Sequence, residues 1–148
     1  MAASGGPVRD RDAMIAGMAP VLDPQSYQFC TFTEGAADAA TRAAALASFH
    51  EAEGLSLILP QDAACRAGVS DGPPMARITL SVHSALEGVG LTAAVARALA
   101  DHGIACNMVA AYHHDHAFVP ESDAARAMVI LTELAKQGAA AQQKRTRT

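Results

Sequence analysis

Three histidines and an aspartate lie within four positions in the segment AYHHDHAFVP, residues 111–120. Imidazole and carboxylate groups at this density could bind a metal ion, take part in catalysis or simply form a polar turn. If His114 and Asp115 are the two central residues of a tight turn, His113 and His116 lie opposite each other on one face of a hairpin. Asp at such a turn needs no functional explanation, because it tolerates left-handed backbone angles. The segment therefore favours a turn between two strands, with metal binding or catalysis as alternatives.

A metal site here would need a third protein ligand, since catalytic zinc usually has three and structural zinc four. His83 in RITLSVH or His50 in FHEAEG could supply it, but the sequence does not bring them together. Cys30, Cys65 and Cys106 are odd in number and far apart, which is typical of reduced, isolated thiols. No His-Glu-x-x-His or Gly-x-Ser-x-Gly motif occurs. The sequence predicts no metal, no cofactor and no catalytic residue, and a small His-ligated metal enzyme is the alternative.

The segment HSALEGVGLT, residues 83–92, offers a different chemistry because it links a strand to the start of a helix. Unpaired backbone N–H groups at a helix N-terminus favour a carboxylate. Gly88 and Gly90 allow the backbone to approach a ligand closely, Thr92 adds a hydroxyl donor, and Asn107 on the neighbouring strand could hold an ammonium or amide group. Alternatively, the glycines only turn the chain and Asn107 only ends its strand.

A dinucleotide site is a weaker interpretation of the same segment. Residues 88–93 match the pattern G-x-G-x-x-A between a strand and a helix. However, Ser84 to Glu87 separate the glycines from the strand, and no acidic residue ends the following strand about 20 positions on. The pattern therefore favours a small carboxylate over a dinucleotide at this helix N-terminus.

Composition places the chain among small soluble domains. Its 148 residues are 51% hydrophobic but only 4% aromatic, so an aliphatic core of Ala, Leu, Val, Ile and Met is expected. A formal charge of −4 disfavours nucleic acid and anionic membrane surfaces as partners, and no apolar run is long enough for a membrane span. We expect a cytoplasmic protein with a disordered N-terminus over 1–11 and a disordered basic tail over 136–148.

Between these ends the hydrophobic pattern alternates between strand and helix. The predicted elements, in order, are a helix over 12–19, a strand over 27–33, an ambiguous Ala-rich stretch over 36–47, two short strands around Glu53 and Gly54, a helix over 61–68, a strand over 77–83, a helix over 91–103, strands over 105–112 and 116–119, and a helix over 122–135.

A partial internal repeat divides this pattern in two. LILPQDAACRA, residues 57–67, superposes without a gap on AFVPESDAARA, residues 117–127, at a separation of 60. In each copy an apolar strand ends at a proline, Pro60 or Pro120, and a helix follows. The sequence therefore predicts two βαββα-like halves, the first over 12–74 with a degraded first helix and the second over 75–135.

The stretch SVHSALEGVGLTAAVARALADHGIACNMVAAYHHDHAFVPESDAARAMVIL, residues 81–131, resembles an ACT domain. Together with YQFCTF and FHEAEGLSLILP, the span from about residue 12 to residue 134 is similar to small stand-alone bacterial proteins containing two ACT-like halves. The resemblance implies an α+β, ferredoxin-like (βαββαβ) fold with two tandem ACT-like halves. It also implies binding of amino acids or similar small ligands at interfaces between domains.

The resemblance extends to particular residues. It implies ligand contacts at Ser84, Gly90, Leu91, Thr92 and Asn107, and the family also carries HDH before its FVP, which implies a ligand or interface role for His114 and His116. We therefore expect a non-enzymatic regulatory protein that senses an amino acid or similar molecule. A homodimer is expected because pairing would protect exposed sheet edges. A metal-dependent enzyme and a ligand-free interaction module are the alternatives.

Overall fold

One antiparallel sheet runs through the whole fold, with helices packed on one of its faces. The structure, a computed structural model, describes residues 10–82 and 88–147. Its strands are β1 (Pro20–Phe32), β2 (Ala47–Glu51), β3 (Gly54–Pro60), β4 (Met75–Leu80), β5 (Asn107–Ala110) and β6 (Asp115–Pro120). Its helices are α1 (Arg11–Gly17), α2 (Ala39–Ala44), α3 (Gln61–Arg66), α4 (Leu91–Ala100) and α5 (Ala124–Arg145), with a 3-10 turn over Glu121–Asp123 before α5.

The strand order β2-β3-β1-β4-β6-β5 contains the same unit twice. The first half consists of β1, α2, β2, β3 and α3, and the second of β4, α4, β5, β6 and α5. The halves are joined because β1 pairs with β4, so the sheet is continuous. The predicted α+β, ferredoxin-like arrangement of two tandem halves is confirmed.

The register matches strand residues of one half with equivalents in the other wherever both strands are paired. Tyr27 pairs with Pro60 as Met75 pairs with Pro120, and Ala47 pairs with Ile58 as Asn107 pairs with Phe118. Equivalent residues of the hairpins β2–β3 and β5–β6 are therefore 60 positions apart, which is the separation of the sequence repeat. Equivalent residues of β1 and β4 are 48 positions apart. These pairs allow the two halves to be compared position by position.

The two helix layers differ in how much apolar surface they bury. In the second half, α4 buries Leu91, Val95 and Leu99 in a core shared with α1 and α5. In the first half, α2 spans six residues with no buried side chain, and α3 buries only Ala63 and Ala64. The degraded first helix follows from its composition, because AATRAA contains no large apolar residue to bury.

Both expected disordered ends are corrected in part. Asp10 caps α1 by accepting a 2.9 Å hydrogen bond from the Ala13 N–H, so α1 begins at Arg11. The helix that was predicted to end at residue 135 continues to Arg145. It continues because α5 packs against α1: a Cβ on Gly138 would lie 2.7 Å from a methyl of Ile15, and Arg145 pairs with Asp12 at 2.8 Å.

The other face of the sheet, which we call the open face, packs against no described helix. Its buried cluster contains only strand residues, Tyr27, Ile58, Met75 and Phe118. Around this cluster the open face carries exposed Phe29 and Phe49 in the first half, and the side chains of Arg77, Thr79 and His116 in the second. The open face is therefore one surface that the described helices leave accessible to a ligand.

Candidate functional site

The end of the sheet beyond β4 is the place where α4 begins. Gly90 is the N-cap of this ten-residue helix, with a φ of 106°, and no side chain of the described residues caps the helix. The first backbone N–H groups of a helix have no partner within the helix and favour an anion, and exposed Thr92 lies in the same turn. Half-buried Gly88 precedes them in the chain. The side chain of Leu91 is instead buried in the core, so only its backbone could contact a ligand.

Arg11 of α1 lies directly against this glycine turn. A Cβ on Gly90 would be 2.8 Å from Arg11 Cδ and 3.4 Å from its Nε, so only glycine allows this approach. The Arg11 side chain is exposed, and among the described residues no carboxylate pairs with it. A guanidinium with no carboxylate partner among residues 10–82 and 88–147 therefore adjoins a helix N-terminus. Both groups favour an anion.

Sequence reasoning missed Arg11 because it assigned residues 1–11 to a disordered end. The signal that could have found it is Asp10, which is a preferred N-cap residue. A helix starting one position later places Arg11 in its first turn, where a cation is not favoured by the helix dipole. Arg11 is therefore unfavourable for α1 itself, but its charge is suited to binding an anion.

The histidine segment adopts a different turn from the predicted one. Ala111 donates its N–H to the His114 carbonyl at 3.1 Å, so the connection spans Ala111 to His114. Asp115 is already the first residue of β6, buried and paired with Leu80 and Ala110. The prediction of His114 and Asp115 as central turn residues is therefore wrong, because the turn is centred two residues earlier, at Tyr112 and His113.

This turn keeps the rings of His113 and His114 near each other, with centroids 6.4 Å apart, but does not place His113 opposite His116. His116 pairs with Val109 rather than with His113, so the predicted two-ligand face does not form. His113 instead contacts the exposed Tyr112 ring edge-on, with ring centroids 4.9 Å apart. His114 Nδ1 lies 3.4 Å from the Val82 carbonyl, just after β4. Of the histidines in this segment, His114 is thus held against the segment that leads to the glycine turn.

His116 belongs to the open face. Its Nδ1 is 3.0 Å from Thr79 Oγ1 on the adjacent strand. Burial, together with the charges of Arg77 and His114, lowers the pKa of His116 below its usual value. A neutral imidazole is favoured there. The described residues contain no group of three or more His, Cys, Asp or Glu side chains that could hold a metal ion.

Asn107 is not brought to the glycine turn. It lies on the edge strand β5, and β6 separates it from β4. Asn107 pairs with Phe118, and Phe118 pairs with Arg77 near the start of β4. The glycine turn instead follows the end of β4. Strand geometry separates the two places by about 10 Å along the strand and about 10 Å across the sheet. Ser84 and His83 lie outside the described residues, and His50 belongs to the first half.

Comparison with known proteins identifies both halves. A family model described as ACT domain matches residues 7–76, and a second, also described as ACT domain, matches residues 76–133. None of the curated proteins matches the sequence. Among the described residues, no helix is both long and apolar enough to cross a membrane.

Solved structures give similar folds. A protein of unknown function from Vibrio cholerae, described as a possible transport protein, is 40% identical; the match covers 84% of this chain and 94% of that chain, with a TM-score of 0.73. A protein from Agrobacterium tumefaciens is 17% identical over 80% and 89% of the two chains, with a TM-score of 0.62. The ligand-free regulatory subunit of aspartate kinase from Thermus thermophilus is 12% identical over 78% and 95%, with a TM-score of 0.58.

Proposed function

Because the chain belongs to the ACT-domain family and carries two ACT domains in tandem, we propose that it is a regulatory protein that binds an amino acid or a similar small carboxylate. The proposed site lies at the glycine turn of the second domain, where Gly88, Gly90 and Thr92 meet Arg11. The family supports a regulatory, ligand-binding role rather than a catalytic one. The amino-acid ligand and this particular site are our proposal.

The observation that carries the proposal is the contact of Arg11 with Gly90. The ligand carboxylate would accept hydrogen bonds from the first N–H groups of α4 and from the guanidinium of Arg11. The helix fixes its N–H donors before binding, and the Arg11 stem lies against Gly90, which places the guanidinium beside them. Preorganised donors reduce the ordering cost of binding. His114, held beside Val82, is placed to contact the remainder of the ligand.

We further propose that the protein acts as a cytoplasmic homodimer without catalytic activity of its own. The sheet ends in the edge strands β2 and β5, whose outer backbone groups have no strand partner in the described residues. Pairing with a second copy would protect such an edge. A ligand that binds near a subunit contact would then favour whichever state of the dimer binds it more tightly. The size of the shift is set by the difference between the ligand's affinities for the two states of the dimer.

The first experiment is a thermal-shift screen of the full chain against the common amino acids, followed by calorimetry on each compound that stabilises it. A ligand at one hundred times its Kd should add about 2.7 kcal/mol to the free energy of unfolding. We expect Arg11→Gln to weaken binding by about ten- to one-hundredfold, as loss of a charged hydrogen bond does. Gly90→Ala should abolish binding because its methyl group displaces the Arg11 side chain.

Gly103→Ala is the matched control for backbone strain. Gly103 also has a positive φ, 71°, at the other end of the same helix, but nothing lies within 4 Å of an added Cβ. It should lower stability, as strain at such a position does, and leave binding unchanged. The proposal fails if no amino acid or related carboxylate stabilises the protein, or if Gly103→Ala and Gly90→Ala reduce binding equally.

A further inference from the structure

A cavity lies on the open face of the first ACT domain, away from the glycine turn. Its volume is about 550 Å³, and its lining includes Phe29 and Phe49 with Ser56 and Ile58 on the strand between them. Volumes of 300–1,000 Å³ are usual for pockets that hold small molecules. The cavity follows three adjacent strands, because Phe29 pairs with Ile58 across β1 and β3 and Phe49 pairs with Ser56 across β2 and β3.

Aromatic side chains line this cavity, although the chain contains few aromatic residues. The sequence has four Phe and no Trp, and two of the four Phe are Phe29 and Phe49. These side chains remain 45% and 53% exposed, although Phe29 packs edge-on against the buried Phe118 ring at 5.3 Å. Large apolar side chains left exposed on one face oppose the hydrophobic effect, and such patches mark surfaces that bind something. Removing both rings from water would supply favourable free energy to a ligand with an apolar body.

One end of the cavity is negatively charged. Ser56 donates its hydroxyl proton to Glu51 Oε1, which fixes the Glu51 carboxylate at the rim. Among the described residues, no cation pairs with Glu51. Glu34 and Glu53 line the adjoining depression at the same end, where Arg42 directs its Nε–H to the Ala37 carbonyl. Three carboxylates and one arginine leave this end with an excess of negative charge, which favours a cation.

The second ACT domain shows that the fold alone does not create this cavity. By register, Arg77 replaces Phe29 and Val109 replaces Phe49. Arg77 binds the Asp23 carboxylate and lies 5.2 Å above the centre of the Tyr27 ring. These groups satisfy one another, so the equivalent surface presents neither exposed rings nor an unpaired charge. The cavity is therefore produced by the side chains of the first domain.

We propose that this cavity binds a small hydrophobic cation, meaning an amine or guanidinium attached to an aromatic or aliphatic body. The apolar body lies between Phe29 and Phe49, and the cationic group pairs with Glu51. The aromatic faces add a cation–π attraction to the charge pairing. A carboxylate is disfavoured here, whereas the glycine turn of the second domain favours one. The two sites thus differ in the sign of the group that they recognise.

Calorimetric titration of the full chain with 2-phenylethylamine tests this site, with 3-phenylpropionate as the probe of matched body and opposite charge. We expect saturable binding of the amine, with a dissociation constant in the millimolar range or tighter, and at least about tenfold weaker binding of the carboxylate. Glu51→Gln should weaken amine binding about tenfold and remove the preference between the probes. Phe49→Ala should also weaken binding, whereas Val109→Ala, at the equivalent position of the second domain, should not.

Several outcomes would overturn the proposal. These are no saturable binding of the amine, equal binding of both probes, and amine binding that survives both Glu51→Gln and Phe49→Ala. Sedimentation of the same variants identifies a competing occupant: if the wild type binds no amine and Phe49→Ala converts a dimer into monomers, the face is a self-association surface. Circular dichroism checks that each variant is folded. Because Phe49 is half-exposed on an edge strand, its loss should leave the fold intact.

Discussion

The two ACT domains have the same strand register but place different chemistry on equivalent positions. On the open face, Phe29 and Ser56 of the first domain correspond to Arg77 and His116 of the second. At the sheet ends, a six-residue α2 with no buried side chain corresponds to the ten-residue α4. The backbone repeat is thus maintained by hydrogen-bond register, while each domain presents different side chains on its surface.

The cores show a related exchange at one cross-strand pair. Cys30 and Leu57 pair in the first domain, and the equivalent Ile78 and Ala117 pair in the second. The large side chain lies on β3 in one case and on β4 in the other, and all four residues are buried. Pairing a large residue with a small one preserves the combined volume, which cores tolerate well. Truncating the β4 side chain of this pair should therefore lower the free energy of unfolding more than truncating the equivalent β1 side chain.

The largest expected effect distinguishes β4 from β1. Ile78→Ala should lower the free energy of unfolding by about 3–4 kcal/mol, since Ile78 is completely buried and its loss leaves a cavity. Cys30→Ala at the equivalent position should cost only about 1 kcal/mol, because it removes one sulfur atom. Urea denaturation followed by circular dichroism measures both values.

The same denaturation curves test whether the domains unfold together. Because β1 and β4 pair in one continuous sheet, a single transition is expected for the wild type and for both variants. Two separate transitions, or equal losses from Ile78→Ala and Cys30→Ala, would contradict the comparison. In the first case the domains would be independent, and in the second their cores would be equally sensitive.

A smaller change in unfolding free energy is expected where α5 of the second domain packs against α1. Gly138→Ala normally stabilises a helix by about 1 kcal/mol. Here the new methyl group would lie 2.7 Å from Ile15 Cγ2 and 3.0 Å from the Ala16 backbone nitrogen, so α1 must shift. We expect a net loss of about 1 kcal/mol of unfolding free energy. Thermal or urea denaturation decides the sign, and a gain in stability would mean that α1 does not pack closely on α5.

The sequence predicted the elements and their grouping, because those depend on local patterns. The alternation of Ile78, Leu80 and their neighbours predicts β4, and the positions of Leu91, Val95 and Leu99 predict α4. The 60-residue repeat predicts the two halves, and the β2–β3 and β5–β6 hairpins keep that separation. Each strand, helix and hairpin depends on residues that are close together along the chain, and the repeat shows the same local pattern twice.

Features that depend on contacts between distant segments were not predictable. Arg11 and Gly90 are far apart in sequence, and no local pattern links them. The extension of α5 to Arg145 depends on α1, from the opposite end of the chain. Likewise, the β5–β6 turn is centred two residues earlier than predicted, so His116 pairs with Val109 instead of His113. Residue types predicted the chemistry that was available, and the tertiary contacts decided which groups meet.

The smallest expected effect is on the pH dependence of the unfolding free energy, which should depend on His116 but not on the equivalent residue, Ser56. Burial, with the charges of Arg77 and His114, keeps the pKa of His116 in the folded protein below that of the unfolded chain, about 6.5. The unfolded chain therefore takes up a proton first as the pH falls, so stability that is present above about pH 6.5 is lost as the pH falls through the folded-state pKa. His116→Ser should remove this part of the pH dependence in urea denaturation between about pH 7.5 and about pH 5. Thr79→Val keeps the buried imidazole and should retain it. If His116→Ser and the wild type lose stability in parallel over this range, another group is responsible, and the open faces of the two domains do not differ in the way that their side chains indicate.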